Sequence, residues 1–137
     1  MSYTLTIEEH GVYCVFNNSL TSEAFINFNH SISKISKPSV FKYKIINLTN
    51  VASFPIEFHA IKAVAKQDAK IHRINPNIKL AVVANSAIIN GFVIVYRSYF
   101  DLEGNVDHKK FGLVRNTTPQ QIEVFKTDEE AREWVNA

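Results

Sequence analysis

The chain has 137 residues, 46% of them hydrophobic and 20% charged, and ten of its aromatics are Phe. That is the make-up of one globular domain, residues 1–137, with a well-filled interior; four Gly and four Pro argue against a linker or disordered tract. A net charge of +2 is too mild to imply nucleic acid, and the lone Cys14 excludes an intramolecular disulfide or a multi-cysteine zinc site.

Tyr3, Leu5 and Ile7 alternate with Thr4, Thr6 and Glu8, which predicts a strand with one wet face. His10-Gly11 turns the chain into the more continuously apolar run Val12 to Phe16, so the first two strands form an antiparallel hairpin. Thr21 stands as a helix cap between Leu20 and Phe25, the spacing of a hydrophobic staple. Phe25, Phe28, Ile32 and Ile35 then mark the buried stripe of a first helix that stops before Pro38. Lys42 to Leu48 reads as the third strand, Thr49 to Phe54 as a loop, and Pro55 as the first turn of a second helix reaching about Arg73.

After the break at Asn75-Pro76-Asn77, Ile78 to Ala84 has the near-unbroken apolar character of a central parallel strand. Asn85 or Ser86 caps a third helix, expected to last until Glu103-Gly104. Asn105 to Gln121 reads as a hairpin-like excursion or a loop over the sheet edge. Ile122 to Phe125 forms the last strand. Thr127 caps the last helix, and Glu130, three residues on, is placed to reach back to the Thr127 amide. Trp134 and Val135 extend the apolar face begun at Ala131. The order β-β-α-β-α-β-α-β-α predicts an α/β fold: a mixed, mostly parallel sheet of four to five strands with the first strand antiparallel at the edge. No basic segment followed by an apolar run opens the chain, and Ala87 to Tyr96 falls short of the roughly 20 residues that span a bilayer. A cytoplasmic protein without a transmembrane segment is the expectation.

With that order in place, the opening hairpin, Ile45-Ile-Asn-Leu-Thr-Asn-Val51, Lys79-Leu-Ala-Val-Val-Ala84 and the tail Val124 to Trp134 resemble the SpoIIAA-like group, within or close to the STAS superfamily of bacterial regulators. The resemblance covers nearly the whole chain except Asn105 to Gln121. It implies an anti-sigma-factor-antagonist type of fold and a non-enzymatic regulatory or protein-interaction role. In the regulatory members a phosphorylatable Ser or Thr follows an Asp where the third strand's loop meets the second helix. Here Asn47 stands where the strand usually carries Asp, Pro55-Ile56 stands where Asp-Ser would, and Ser53 comes two or three residues early. These departures count against a phospho-switch. The partner surface that the resemblance implies is the Asn50 to Phe54 loop with the start of the second helix: Asn50, Ser53, Phe54, His59, Lys62 and Lys66.

Other constellations carry less. Five histidines, at 10, 30, 59, 72 and 108, show no ligand spacing, and no glycine-rich phosphate loop or nucleophile elbow occurs. No catalytic residues, cofactor or metal site are therefore predicted, and Cys14 reads as a core residue. His59, Lys62, Lys66, Lys70 and Arg73 recur at three- and four-residue intervals, a basic stripe that is either solvated or the dock of an acidic partner. The third helix is apolar nearly all round. Ile88, Gly91, Phe92, Val95 and Tyr96 are thus candidates for intrachain burial, a homodimer surface, or a pocket for a small apolar or lipid-like ligand.

Overall fold

The computed structural model describes residues 2–35, 40–111 and 120–137, with side chains for all of these except 104–111. Among them, five strands and four helices follow in the expected order: β1 (Tyr3–Ile7), β2 (Gly11–Ser19), α1 (Ser22–Lys34), β3 (Tyr43–Ser53), α2 (Phe58–Ile74), β4 (Lys79–Val83), α3 (Ile88–Phe111), β5 (Gln121–Phe125) and α4 (Asp128–Val135). The strands form one sheet in sequence order, with β1 antiparallel to β2 and every later pair parallel. Crossovers of one hand that always step in the same direction place their helices on one face. Accordingly α1, α2 and α3 share the larger core, built on Val12, Cys14, Phe16, Ile46, Leu80 and Val82, while α4 alone covers Tyr43, Ile45, Ala81 and Val83 on the other face. The two-residue period of a strand is what divides these sets.

Local chemistry explains the boundaries. Thr21 Oγ1 accepts the Ala24 amide at 3.0 Å and opens α1, and the stripe continues through Phe28 and Ile32, both buried. Phe16, Phe28 and Tyr3 stack at centroid separations of 5.4 to 6.0 Å, locking α1 onto the hairpin. At the start of β2, Gly11 lies so close to β3 that a Cβ would sit 2.5 Å from the Tyr43 carbonyl oxygen, so only glycine fits.

Three boundaries differ from the sequence expectation. The segment expected as a loop, Thr49 to Phe54, is strand through Ser53. The end of β2 follows it through register shifts that pair Asn17 with Asn50 and Ser19 with Ser53, and Asn18 takes φ 66°. The second helix starts at Phe58, three residues after Pro55: the Glu57 amide donates to Ser22 Oγ at 2.8 Å, which ties this connection to α1 in an extended form. The third helix passes Gly104 and reaches Phe111, because one helical glycine costs only about 1 kcal/mol. Of the segment expected as an excursion or loop, Asn105 to Phe111 is thus helix and Gln121 opens β5, while 112–119 lie outside the described residues. The final cap is as expected in one half: Glu130 N donates to Thr127 Oγ1 at 3.2 Å, but the Glu130 carboxylate meets the Thr127 hydroxyl, at 3.1 Å, and not its amide.

Candidate functional site

On the α1–α3 face, Lys44, Ile46 and Leu48 of β3 point the same way, spaced two residues apart, and floor a strip roughly 13 Å long. Above it Phe25 and Phe28 of α1, Ile61 and Val64 of α2, and Ile89, Phe92, Val93 and Tyr96 of α3 leave a cavity of about 70 Å³. Interiors hold few voids larger than a water.

One end of the cavity is closed by a buried polar network. Lys44 Nζ donates to Asp68 Oδ1 at 3.2 Å, Tyr96 Oη donates to Asp68 Oδ2 at 2.6 Å, and Gln120 Nε2 donates to the Tyr96 oxygen at 2.8 Å. Lys44 and Asp68 are 6% and 7% exposed, so each charge depends on the other for compensation. Burial first, and the Asp68 carboxylate second, push the Tyr96 hydroxyl well above its ordinary range, which keeps it a proton donor at neutral pH. A second void of about 20 Å³, room for one water, lies beyond the network against His72 and Phe100.

A second polar network fastens α4 to the opposite face. Arg132 grips Glu8 with two bonds of 2.7 and 2.8 Å, Tyr43 Oη donates to the same carboxylate at 2.5 Å, and Arg132 stacks over the Tyr13 ring. Tyr13 Oη and Asn47 Nδ2 both donate to Asp128, at 2.8 and 3.0 Å, and Asn47 Oδ1 accepts from the Thr49 amide and hydroxyl. The guanidinium holds Glu8 below the ordinary carboxylate range against the opposing effect of partial burial.

The residues named from the sequence fall into separate places. Asn50 and Ser53 sit at the exposed end of β3, bonded to Asn17 (3.3 Å) and Ser19 (2.7 Å) of β2. Phe54 turns inward and packs on Phe92 at 6.0 Å. His59, Lys62 and Lys66 are exposed on the outer face of α2, continued by Lys70. Within that face His59 meets Glu57 at 3.0 Å and Lys62 lies 5.9 Å over the Tyr99 ring; among the described residues Lys62, Lys66 and Lys70 have no ion-pair partner. On α3 the candidates divide: Phe92 and Tyr96 line the cavity, Val95 is half-buried, and Ile88 and Gly91 face outward with Ile94 and Leu102. Asn47 lies on the α4 side, apart from His59 on the exposed outer face of α2.

Among the described residues, no group of three or more His, Cys, Asp or Glu is placed to hold a metal, and no helix is long and apolar enough to cross a membrane. Sequence reasoning missed both polar networks. The available signal was polar residues in apolar positions: Lys44 in register with Ile46 and Leu48, and Asp68 on the stripe of Ile61, Val64 and Ala65.

No family model matches the sequence, and no curated protein does. Among solved structures the chain is similar to an uncharacterised protein of the DUF3478 family with a SpoIIAA-like fold from Shewanella loihica PV-4. The two share 14% identity over 98% of this chain and 94% of that one, with a TM-score of 0.52. At that identity the likeness establishes the fold: a SpoIIAA-like, mostly parallel α/β sheet with β1 antiparallel at its edge.

Proposed function

We propose that this chain is a single-domain, non-enzymatic regulatory module of the STAS-like type, acting in the cytoplasm by recognising a protein partner. The observation that carries this reading is the outer ridge of α2. Lys62, Lys66 and Lys70 recur every four residues, are exposed, and have no ion-pair partner among the described residues. A row of uncompensated cations about 12 Å long is complementary to an acidic helix or strand edge and gives binding that weakens with salt. Phe58, 61% exposed at the head of the same helix, supplies an apolar anchor beside the charges. Asn50 and Ser53 lie at the end of the strand that leads into it, at the edge of the proposed surface.

The test is quantitative affinity capture from the native lysate with the wild type, a Lys62→Glu/Lys66→Glu variant and Ser53→Asp. Loss of the captured partner in the charge-reversed variant, and salt-sensitive capture by the wild type, are expected. Equal recovery by all three forms would refute the surface.

A second reading, a small apolar ligand held beside α3, is favoured by the cavity that Ile89, Phe92, Val93 and Tyr96 wall. Native mass spectrometry of protein from its own cells tests it: a mass above that of the bare chain, removed on denaturation, is the expected result.

A further inference from the structure

We propose that the pocket beneath α1, α2 and α3 takes the end of a wholly apolar molecule, about two or three carbon atoms of it within the 70 Å³ space, supplied as a free hydrocarbon-like molecule or as the end of an acyl chain. The proposal rests on the ligand reading and gives it a chemical class. At about 70 Å³ the space is several times what one water needs. Water finds no partner there, because the cavity wall is carbon throughout. Lys44, Asp68, Asn29 and Tyr96 all border it, yet they present carbon to it, and their hydrogen bonds run to one another and to Gln67 and Gln120. Asp68 receives Lys44 and Tyr96, Tyr96 receives Gln120, and Asn29 donates to Gln67 at 3.2 Å.

Charge balance narrows the class further. The Lys44 ammonium is compensated by Asp68, so no net positive charge awaits an anion inside, and burying a carboxylate there would leave it unpaired. An acyl ligand therefore enters tail first and leaves its head in water. The rim suits that passage: Phe25, Ile56, Phe92 and Val93, drawn from α1, the connection before α2, and α3, are each half-buried, bordering both the cavity and solvent. Their positions allow entry without breaking either polar network.

The experiment is a methyl-resolved NMR titration of the full chain with benzene and, separately, with sodium hexanoate. Shifts centred on the methyls of Ile46, Val64, Val82, Ile89 and Val93 are expected. Val93→Phe, which fills the cavity, should weaken binding by about tenfold or more, and Val82→Ala, which enlarges it, should strengthen binding of the larger probe toluene. Response to benzene alone supports a free apolar molecule; response to hexanoate as well supports a chain end. No response to either probe up to its solubility limit, or shifts unchanged in both variants, overturns the proposal. The ligand reading is judged apart from it. A native mass increase from a polar compound, with no benzene response, would sustain that reading while removing this site; no mass increase would remove that reading as well.

Discussion

Replacing Asp68 by Leu removes one side chain and leaves two donors stranded. Lys44 is 6% exposed and has Asp68 at 3.2 Å as its counter-charge, while Tyr96 donates to Asp68 at 2.6 Å. Breaking a buried pair from one side costs about 3–5 kcal/mol, because the remaining charge stays desolvated. The orphaned Tyr96 hydroxyl adds about 1–3 kcal/mol. The two do not simply add, since the lysine can draw in water, so about 4 kcal/mol is the expected loss. Against a typical stability of about 5–15 kcal/mol the variant remains folded at 25 °C. The diagnostic comparison is the triple variant Lys44→Met/Asp68→Leu/Tyr96→Phe, which removes both donors to Asp68, leaves only the half-buried Gln120 Nε2 without its Tyr96 acceptor, and should return to within about 2 kcal/mol of the wild type. Urea denaturation followed by Trp134 fluorescence and far-ultraviolet circular dichroism, with coincident transitions and matched m values, measures both. A cost under about 1 kcal/mol for Asp68→Leu, or a triple variant no more stable than the single one, would show that the network is not the compensated unit described.

Glu8→Gln should lower stability at neutral pH by about 1–2 kcal/mol, discounted because Arg132 is 37% exposed. Arg132 depresses the folded-state pKa of Glu8, so its contribution is complete above the ordinary value of 4.5 and is lost as pH falls through the lowered one. Wild-type and variant stability curves should converge in acid, and parallel curves would contradict the pairing. Gly11→Ala drives a Cβ against the Tyr43 carbonyl and ring, costing about 1–3 kcal/mol; an unchanged thermal midpoint would refute the β2–β3 approach. Burial pushes the Cys14 thiol up to about 12, so a disulfide reagent at pH 8 should label it only as fast as the chain unfolds. Stoichiometric labelling within seconds in native buffer would place Cys14 outside the core.

Much of the fold was legible because local signals and tertiary demands agree. Thr21 caps where it should, the Phe28–Ile32 stripe is the buried one, and the central strand β4 carries the unbroken apolar run, Leu80 to Val83, that burial on both faces requires. Legibility failed where a non-local partner decides. Asn50 to Ser53 is polar enough for a loop, and becomes strand only because the end of β2 pairs with it through a bulge. The apolar girth of α3 left its inner face undetermined; packing against α2 and the sheet selects Ile89, Tyr96 and Phe100 and leaves Ile88, Ile94 and Leu102 outside. The Lys44–Asp68 pair is the sharpest case. Each residue is visible as a polar intrusion in an apolar row, but 24 residues separate them, and only the crossover of α2 onto β3 makes them partners.

Asn47 shows why resemblance in fold does not carry mechanism. The resemblance to SpoIIAA-like regulators leads one to expect Asp at this strand position, whereas the Asn47 amide works in both directions. Its nitrogen donates to Tyr13 and to Asp128, and its oxygen receives Thr49. A carboxylate in its place would lose those donor bonds and lie about 3 Å from Asp128, two like charges sharing one site. The negative charge at this junction is supplied by the first turn of α4, where Asp128, Glu129 and Glu130 also complement the helix dipole. Position 47 is thereby committed to fastening α4, on the face opposite the cavity. On the other face α2 presents its lysines outward and shares the roof of the cavity with α1 and α3, and both the proposed docking ridge and the proposed ligand site lie there.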